Sequence, residues 1–138
     1  SEARLALILL LDQLPRNVFR GTARAFAGDA RAAALAQSGV ASGMEKILPF
    51  AGQVFFYMPL MHAENLAQQT LCETCFVDLG ERVPASLKAG IMGNLKFARE
   101  HRQIIERFER FPHRNAALGR TSTAAEREFL GTANRYGQ

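Results

Sequence analysis

The sequence predicts an all-α protein of about five helices in antiparallel pairs, arranged as an irregular bundle or a solenoid-like stack. Three observations carry this expectation. Apolar residues recur at helical spacing along most of the 138-residue chain, and nothing alternates at period two for long enough to make a strand. Prolines and glycines punctuate the periodic segments at Pro15, Gly39, Gly43, Gly80, Pro84 and Pro112. The connections between segments are short, which favours antiparallel neighbours.

The first helix is expected from about Ala3 to Leu14. It is apolar almost all round, so it belongs at the centre, and Pro15 stops it. A second begins near Thr22 and carries the alanine-rich stretch to about Ser38. The segment Phe50 to Pro59, with Phe55, Phe56 and Tyr57 in succession, reads as a buried connector into a helix from about Leu60 to Leu79. The longest helix spans about Ala85 to Phe111, with Gly90 and Gly93 each weakening it by ~1 kcal/mol relative to alanine. The last starts near Thr123, which has capping-box spacing to Glu126, and ends near Asn134.

Composition narrows the class. Hydrophobic residues make up 48% and charged residues 22%, which argues against disorder and for one domain over residues 1–138. The formal charge of +4 permits anionic partners without demanding them. Only Lys46, Lys88 and Lys96 are lysines, so the basic excess is arginine, the residue suited to meeting carboxylates and phosphates with a planar fork. Two cysteines give no disulfide framework. The apolar run Leu5 to Leu11 is too short to span a bilayer, no signal peptide is evident, and a cytoplasmic location without membrane association is expected.

Several residues stand out against this background. Asp12 lies near the C-terminal end of an apolar helix, opposed by the dipole and placed with Ile8 and Leu5 to face inward. A buried carboxylate needs a partner, and Arg16, Arg20, Arg110 and Arg114 are candidates. His101 shares the core-facing stripe of Phe97, Ile104 and Phe108. His62 and Glu64 are two residues apart and project from different faces. Cys72 and Cys75 form a lone CxxC, expected mid-helix as core packing. No local ligand motif such as HExxH joins the histidines, so no metal or other cofactor is indicated.

The stretch Arg110 to Glu126 is the most informative. Arg110, His113, Arg114 and Arg120 surround a turn leading into a helix N-terminus, where free amides favour an anion. The opposing expectation is that these arginines pair internally with Asp12, Glu64, Glu106 and Glu109. A weak internal echo links the two turns. Pro15-Arg16-Asn17 precedes Arg20-Gly21-Thr22, and Pro112-His113-Arg114-Asn115 precedes Gly119-Arg120-Thr121. The aromatics lie in apolar contexts and glutamates alternate with the arginines, which argues against nucleic-acid binding.

Three strings in order, Leu11-Asp12-Gln13-Leu14-Pro15-Arg16-Asn17, Phe56-Tyr57-Met58-Pro59-Leu60-Met61-His62-Ala63-Glu64-Asn65, and His101-Arg102 with Arg107 through Asn115 to Leu118-Gly119-Arg120, resemble the bacterial family known as domain of unknown function 924. The resemblance covers nearly the whole chain. It implies an all-helical, tetratricopeptide-repeat-like fold and no settled activity. Members usually carry an aromatic-bearing stretch ahead of the first string, so the chain is expected to be a fragment or a short member. Glu109 stands where the family often has glycine. Ala63 and Asn65 stand where it often has serine and aspartate, which puts in doubt any role needing a carboxylate at position 65.

The function expected from these residues is an intracellular binding module. Its polar site would be built from Asp12, Arg16, Asn17, His62, Glu64, His101, Arg110, His113, Arg114, Asn115 and Arg120, and would receive a small anion or an acidic peptide. One alternative is a hydrolase or transferase in which His62 or His101 acts as a base held by Glu64 or Asp12 while arginines stabilise developing charge. Another is a structural or oligomeric protein, a homodimer included, whose polar cluster is an internal salt-bridge network.

Overall fold

The computed structural model describes residues 1–132. Among these the chain forms α1 (Glu2–Leu11), α2 (Gln13–Val18), α3 (Asp29–Ala41), α4 (Phe50–His62), α5 (Leu66–Arg82), α6 (Ala85–Phe108) and α7 (Ala124–Thr132), with no strand. Short 3-10 turns occur at Ala23–Phe26, Met44–Ile47 and Pro112–Arg114. The all-α expectation holds, with more and shorter pieces than five.

The extra pieces have local causes. The first helix breaks at Asp12, and α2 restarts around Pro15 instead of ending there. Pro15 is the third residue of α2, where a missing N–H costs nothing because first-turn amides have no intrahelical acceptor. The aromatic segment is not a connector: Phe50 to Pro59 is most of α4, capped by Pro49 and carrying Pro59 within its last turns. The helix expected to start at Leu60 starts instead at Leu66, after a break at Ala63, whose backbone is extended. Two side chains fix that break. Asn65 accepts the Gln68 N–H at 3.1 Å and caps α5. Gln69, fully buried, donates from Nε2 to the Met61 and Ala63 carbonyls at 2.6 and 2.8 Å. The expected end of the last helix near Asn134 lies outside the described residues.

Helix α4 is the centre of the molecule, packing on α1, α3, α5 and α6, while α5 and α6 make the most extensive pairing. The main core joins Ile8, Phe56, Tyr57, Leu60, Phe76, Leu79, Ile91 and Leu95. Tyr57 and Phe76 meet edge to face at 5.5 Å. Cys72 and Cys75 are buried here as free thiols, and burial pushes Cys75 up to about 12, so the pair is inert packing. A smaller cluster of Ile104, Ile105 and Phe111, with Phe108 and Phe129 against it, holds the turn after α6.

Two backbone positions carry specific constraints. A Cβ on Gly39 would lie 2.4 Å from the Phe56 ring, so α3 and α4 can approach this closely only through glycine. Glu109 ends α6 with φ of +59°, a left-handed conformation that costs a residue with a side chain about 1 kcal/mol. Glu109→Gly is therefore expected to raise unfolding free energy by about 1 kcal/mol, while Gly39→Ala lowers it by about 1–3 kcal/mol through overpacking. Urea unfolding midpoints of both variants check this; equal midpoints for Glu109→Gly and the parent would remove the strain argument.

Candidate functional site

Asp12 is fully buried at the α1–α2 junction, and its position there brings one carboxylate within reach of three donors. His62 Nδ1 lies 2.8 Å from Oδ1, Gln13 Nε2 donates to Oδ2 at 2.6 Å, and Arg16 Nη1 approaches Oδ1 at 3.0 Å. Burial alone would raise the Asp12 carboxyl, but the imidazole and the guanidinium outweigh it and hold it below its ordinary value. His62 is also shifted down, first by burial, with the Asp12 charge opposing and the Arg16 and Arg114 cations reinforcing. The pair therefore rests as ionised Asp12 and neutral His62. The proton sits on Nδ1, facing the carboxylate, and Nε2 keeps a free lone pair.

Arg16 also meets Asp29, the first residue of α3, with two hydrogen bonds of 2.8 Å. Arg114 reaches the same carboxylate at 3.0 Å and donates to the His62 carbonyl at 2.9 Å. Its side chain is 6% exposed, with the guanidinium 4.7 Å from the Phe26 ring centre and 4.5 Å from that of Phe111. Burial pushes Arg114 down to about 10 against the pull of Asp29, which leaves it charged at neutral pH.

A second network adjoins the first. Arg120 clamps Glu64 with bonds of 2.7 and 2.9 Å, and Glu64 also accepts the Phe111 N–H. Arg120 Nε donates to Asn115 Oδ1, and Asn115 passes on to Ser122 and Glu126. Arg110 grips Glu126 at 2.6 and 2.8 Å. Thr123 and Glu126 exchange the two bonds of a capping box. The anion at the α7 N-terminus is thus the carboxylate of Glu126, held at about 2 chiefly by Arg110.

Of the residues singled out in sequence, Asp12, Arg16, His62 and Arg114 belong to the first network, and Glu64, Arg110, Asn115 and Arg120 to the second. His101 is buried with its ring centre 6.5 Å from that of His62, and Nδ1 donates to the Phe97 carbonyl. His113 lies against Phe111. Asn17 stands apart: it is exposed and donates to the Gln13 carbonyl. The echo between the turns has a physical counterpart. Arg16 and Arg114 converge on Asp29, and Gly21 and Gly119 are both left-handed, with φ of +77° and +64°. Arg16 does pair with Asp12, but Arg110 and Arg114 take Glu126 and Asp29 instead, and Glu106 pairs with Arg102.

Asp29 is the residue that sequence reasoning missed. A carboxylate in a helix's first turn is so commonly a dipole partner that nothing marked it as a hub. Gln13 and the paired rings of Phe26 and Phe111 were missed for the same reason, being ordinary residue types at ordinary positions.

A cleft of about 350 Å³ opens beside these networks, lined by Phe26, Ala33, His62, Glu64, Gln68 and Arg114 among others. His62 lies on its wall. Nε2 of His62 has no hydrogen-bond partner among the described residues, and the side chain is 14% exposed. The remaining lining residues include no serine, threonine or cysteine. Among the described residues no group of three His, Cys, Asp or Glu side chains is placed to share a metal ion, and no helix is long and apolar enough to cross a membrane.

Two outcomes follow from these pairings. Arg114→Ala should lower unfolding free energy by about 3–5 kcal/mol, since it strips a buried charge partner and leaves a gap between two rings. A loss below 1 kcal/mol in chemical denaturation would mean the network is not structural. Burial holds His101 and His113 at about 4, and His62 below its ordinary value, all under the ~6.5 of an unfolded histidine. The unfolded chain therefore takes up protons first as pH falls, so stability is full above ~6.5 and is lost progressively toward about 4. The depressed carboxyls of Asp12, Glu64 and Glu126 act in the same direction at lower pH. Melting temperatures should thus be level from pH 8 to 7 and fall from pH 6 to 5; a flat profile to pH 5 would contradict the histidine assignments.

Comparison with known proteins agrees with this picture of a fold without an assigned chemistry. No curated protein matches the chain. A solved structure of a protein of unknown function from Agrobacterium tumefaciens, ATU0120, is similar, with 42% sequence identity and a TM-score of 0.78 over 96% of this chain and 69% of that one. The model of the family described as bacterial protein of unknown function, DUF924, matches residues 1–134. The chain belongs to the DUF924 family.

Proposed function

We propose that the chain is a binding module whose cleft receives a small ligand through His62. The observation that carries this reading is the Asp12–His62 hydrogen bond, which orients a partly exposed imidazole on the cleft wall and leaves Nε2 without a partner among the described residues. A buried carboxylate behind a histidine fixes the tautomer and the ring at once.

The charges around the cleft bear on the ligand. Asp12, Asp29 and Glu64 balance Arg16, Arg114 and Arg120, and each arginine is already hydrogen-bonded to one of these carboxylates or approaches one within ion-pair distance. A multiply charged anion would have to displace one of those pairs. A ligand that donates a hydrogen bond to Nε2 and lays an apolar body on Phe26, Ala30, Ala33 and Leu118 needs no such exchange. The geometry therefore favours a neutral hydroxyl or amide ligand over the anion or acidic peptide expected from arginine content.

A second reading is favoured by the same pairings. The arginine–carboxylate network ties four segments together, and it serves a structural role whether or not the cleft is occupied. The two readings divide by residue, with the arginines structural and His62 functional.

The test is a thermal-shift screen of small alcohols and primary amides beside phosphate, acetate and divalent metals. A neutral donor at tenfold its Kd should stabilise the parent by about 1.4 kcal/mol. His62→Ala, referenced to its own unliganded melting temperature, should lose that shift. Stabilisation by phosphate alone, or an undiminished shift in His62→Ala, would refute the reading.

A further inference from the structure

We infer that the His62 cleft is a site of hydrolysis, in which His62 Nε2 activates water against a small carboxylic ester. The inference rests on the binding reading and extends it to a reaction class, with water taking the donor's place at Nε2 and the ester's apolar body lying on the same lining.

Five features lead there. His62 has its Nδ1 proton committed to Asp12 at 2.8 Å, so Nε2 is the ring's available basic atom. That atom has no partner among the described residues, and the side chain is 14% exposed on the cleft wall. The cleft lining contains no serine, threonine or cysteine, so no hydroxyl or thiol nucleophile stands on the wall and water takes that role in the proposal. Arg114 lines the same cleft and stays charged, with its two Nη atoms held by Asp29 and the His62 carbonyl, so a fixed cation stands beside the place where negative charge would develop. The low affinity of His62 for protons keeps it in the base form at neutral pH.

The step balances without a redox partner. Nε2 takes a proton from water as the water oxygen bonds to the ester carbonyl carbon, and the carbonyl π pair moves onto its oxygen. That pair then re-forms the double bond. The carbon–alkoxy bond breaks with its electrons on the leaving oxygen, which takes the proton back from Nε2. One ester and one water yield one acid and one alcohol. Asp12 is a positioning residue here: it holds the tautomer and stabilises the imidazolium while the proton is on the ring. The apolar lining of Phe26, Ala30, Ala33, Ala63 and Leu118 selects a short acyl or alkyl body and disfavours a charged one.

The experiment uses the full chain with p-nitrophenyl acetate and p-nitrophenyl butyrate, following nitrophenolate release. The expected result is saturable turnover with no burst at the start, since no acyl-enzyme accumulates. His62→Gln retains an oxygen acceptor and a donor to Asp12 but no basic nitrogen. It should lower kcat at least 100-fold with KM within a few-fold of the parent. Asp12→Asn should lower kcat as well, because an amide donor facing Nδ1 moves the ring proton to Nε2. Lys88→Ala, exposed on α6 away from the cleft, should match the parent. In parallel, butyramide and butanol are tested for thermal stabilisation of the parent and of His62→Gln. Release that is absent, non-saturable or unchanged in His62→Gln overturns hydrolysis. If butyramide or butanol still stabilises the parent in that case, the binding reading stands alone; if neither does, both fall.

Discussion

Asp29 is the single carboxylate on which the polar half of the molecule depends. It sits at the start of α3 and takes Arg16 from α2 and Arg114 from the turn after α6, residues 13 and 85 positions away. Through Arg16 it is joined to Asp12, and through Arg114 to the backbone of His62. The resulting chain of alternating charges runs Asp12, Arg16, Asp29, Arg114. Each member is partly or wholly buried and has an opposite charge beside it. Such a chain is held together by desolvation as much as by attraction: removing one link leaves its neighbours as uncompensated buried ions. The close packing of two aromatic rings on Arg114 adds a hydrophobic reason for the same geometry.

Much of this was readable in the chain. Asp12 faced the wrong end of a helix dipole with apolar neighbours, so its burial and its need for arginine followed from its position. His101 shared a stripe with Phe97, Ile104 and Phe108, and its burial followed from helical periodicity. The capping box at Thr123 and Glu126 was visible as spacing. The rest depended on tertiary contacts that leave no local pattern. No feature of Phe50 to Pro59 distinguishes a buried connector from an aromatic helix, because a short apolar run has no period of its own. The break at Ala63 is made by Gln69 reaching back to two carbonyls, a contact set by the packing of α4 on α5. Asp29 was unmarked because its partners lie on other turns.

The differences from the family pattern acquire reasons in the structure. At position 109 the backbone is left-handed, so glycine is the unstrained choice, and Glu109 tolerates the conformation at a small cost while its N–H still closes α6 on Ile105. At position 65 the side chain is an N-cap, a task that asparagine and aspartate perform about equally well. The substitution of Asn65 for a carboxylate therefore leaves α5, and with it the cleft edge, in place. Neither change touches Asp12, His62 or Arg114, so the oriented imidazole survives both.

The arginine excess that first drew attention to a ligand is explained largely without one. Glu126 fills the helix terminus that looked ready for an anion, Glu64 occupies Arg120, and Asp29 occupies Arg16 and Arg114. What remains after these pairings is not a positive field but a neutral cleft with the imidazole of His62 on its wall. The pairings also set the character of that imidazole. Arg16 and Arg114 lie close enough to disfavour a charged His62, while Asp12 fixes where its single proton resides. A network that is structural in its energetics thus determines the protonation state and direction of one side chain. That is how a rigid scaffold prepares an acceptor for a hydroxyl, an amide or a water molecule.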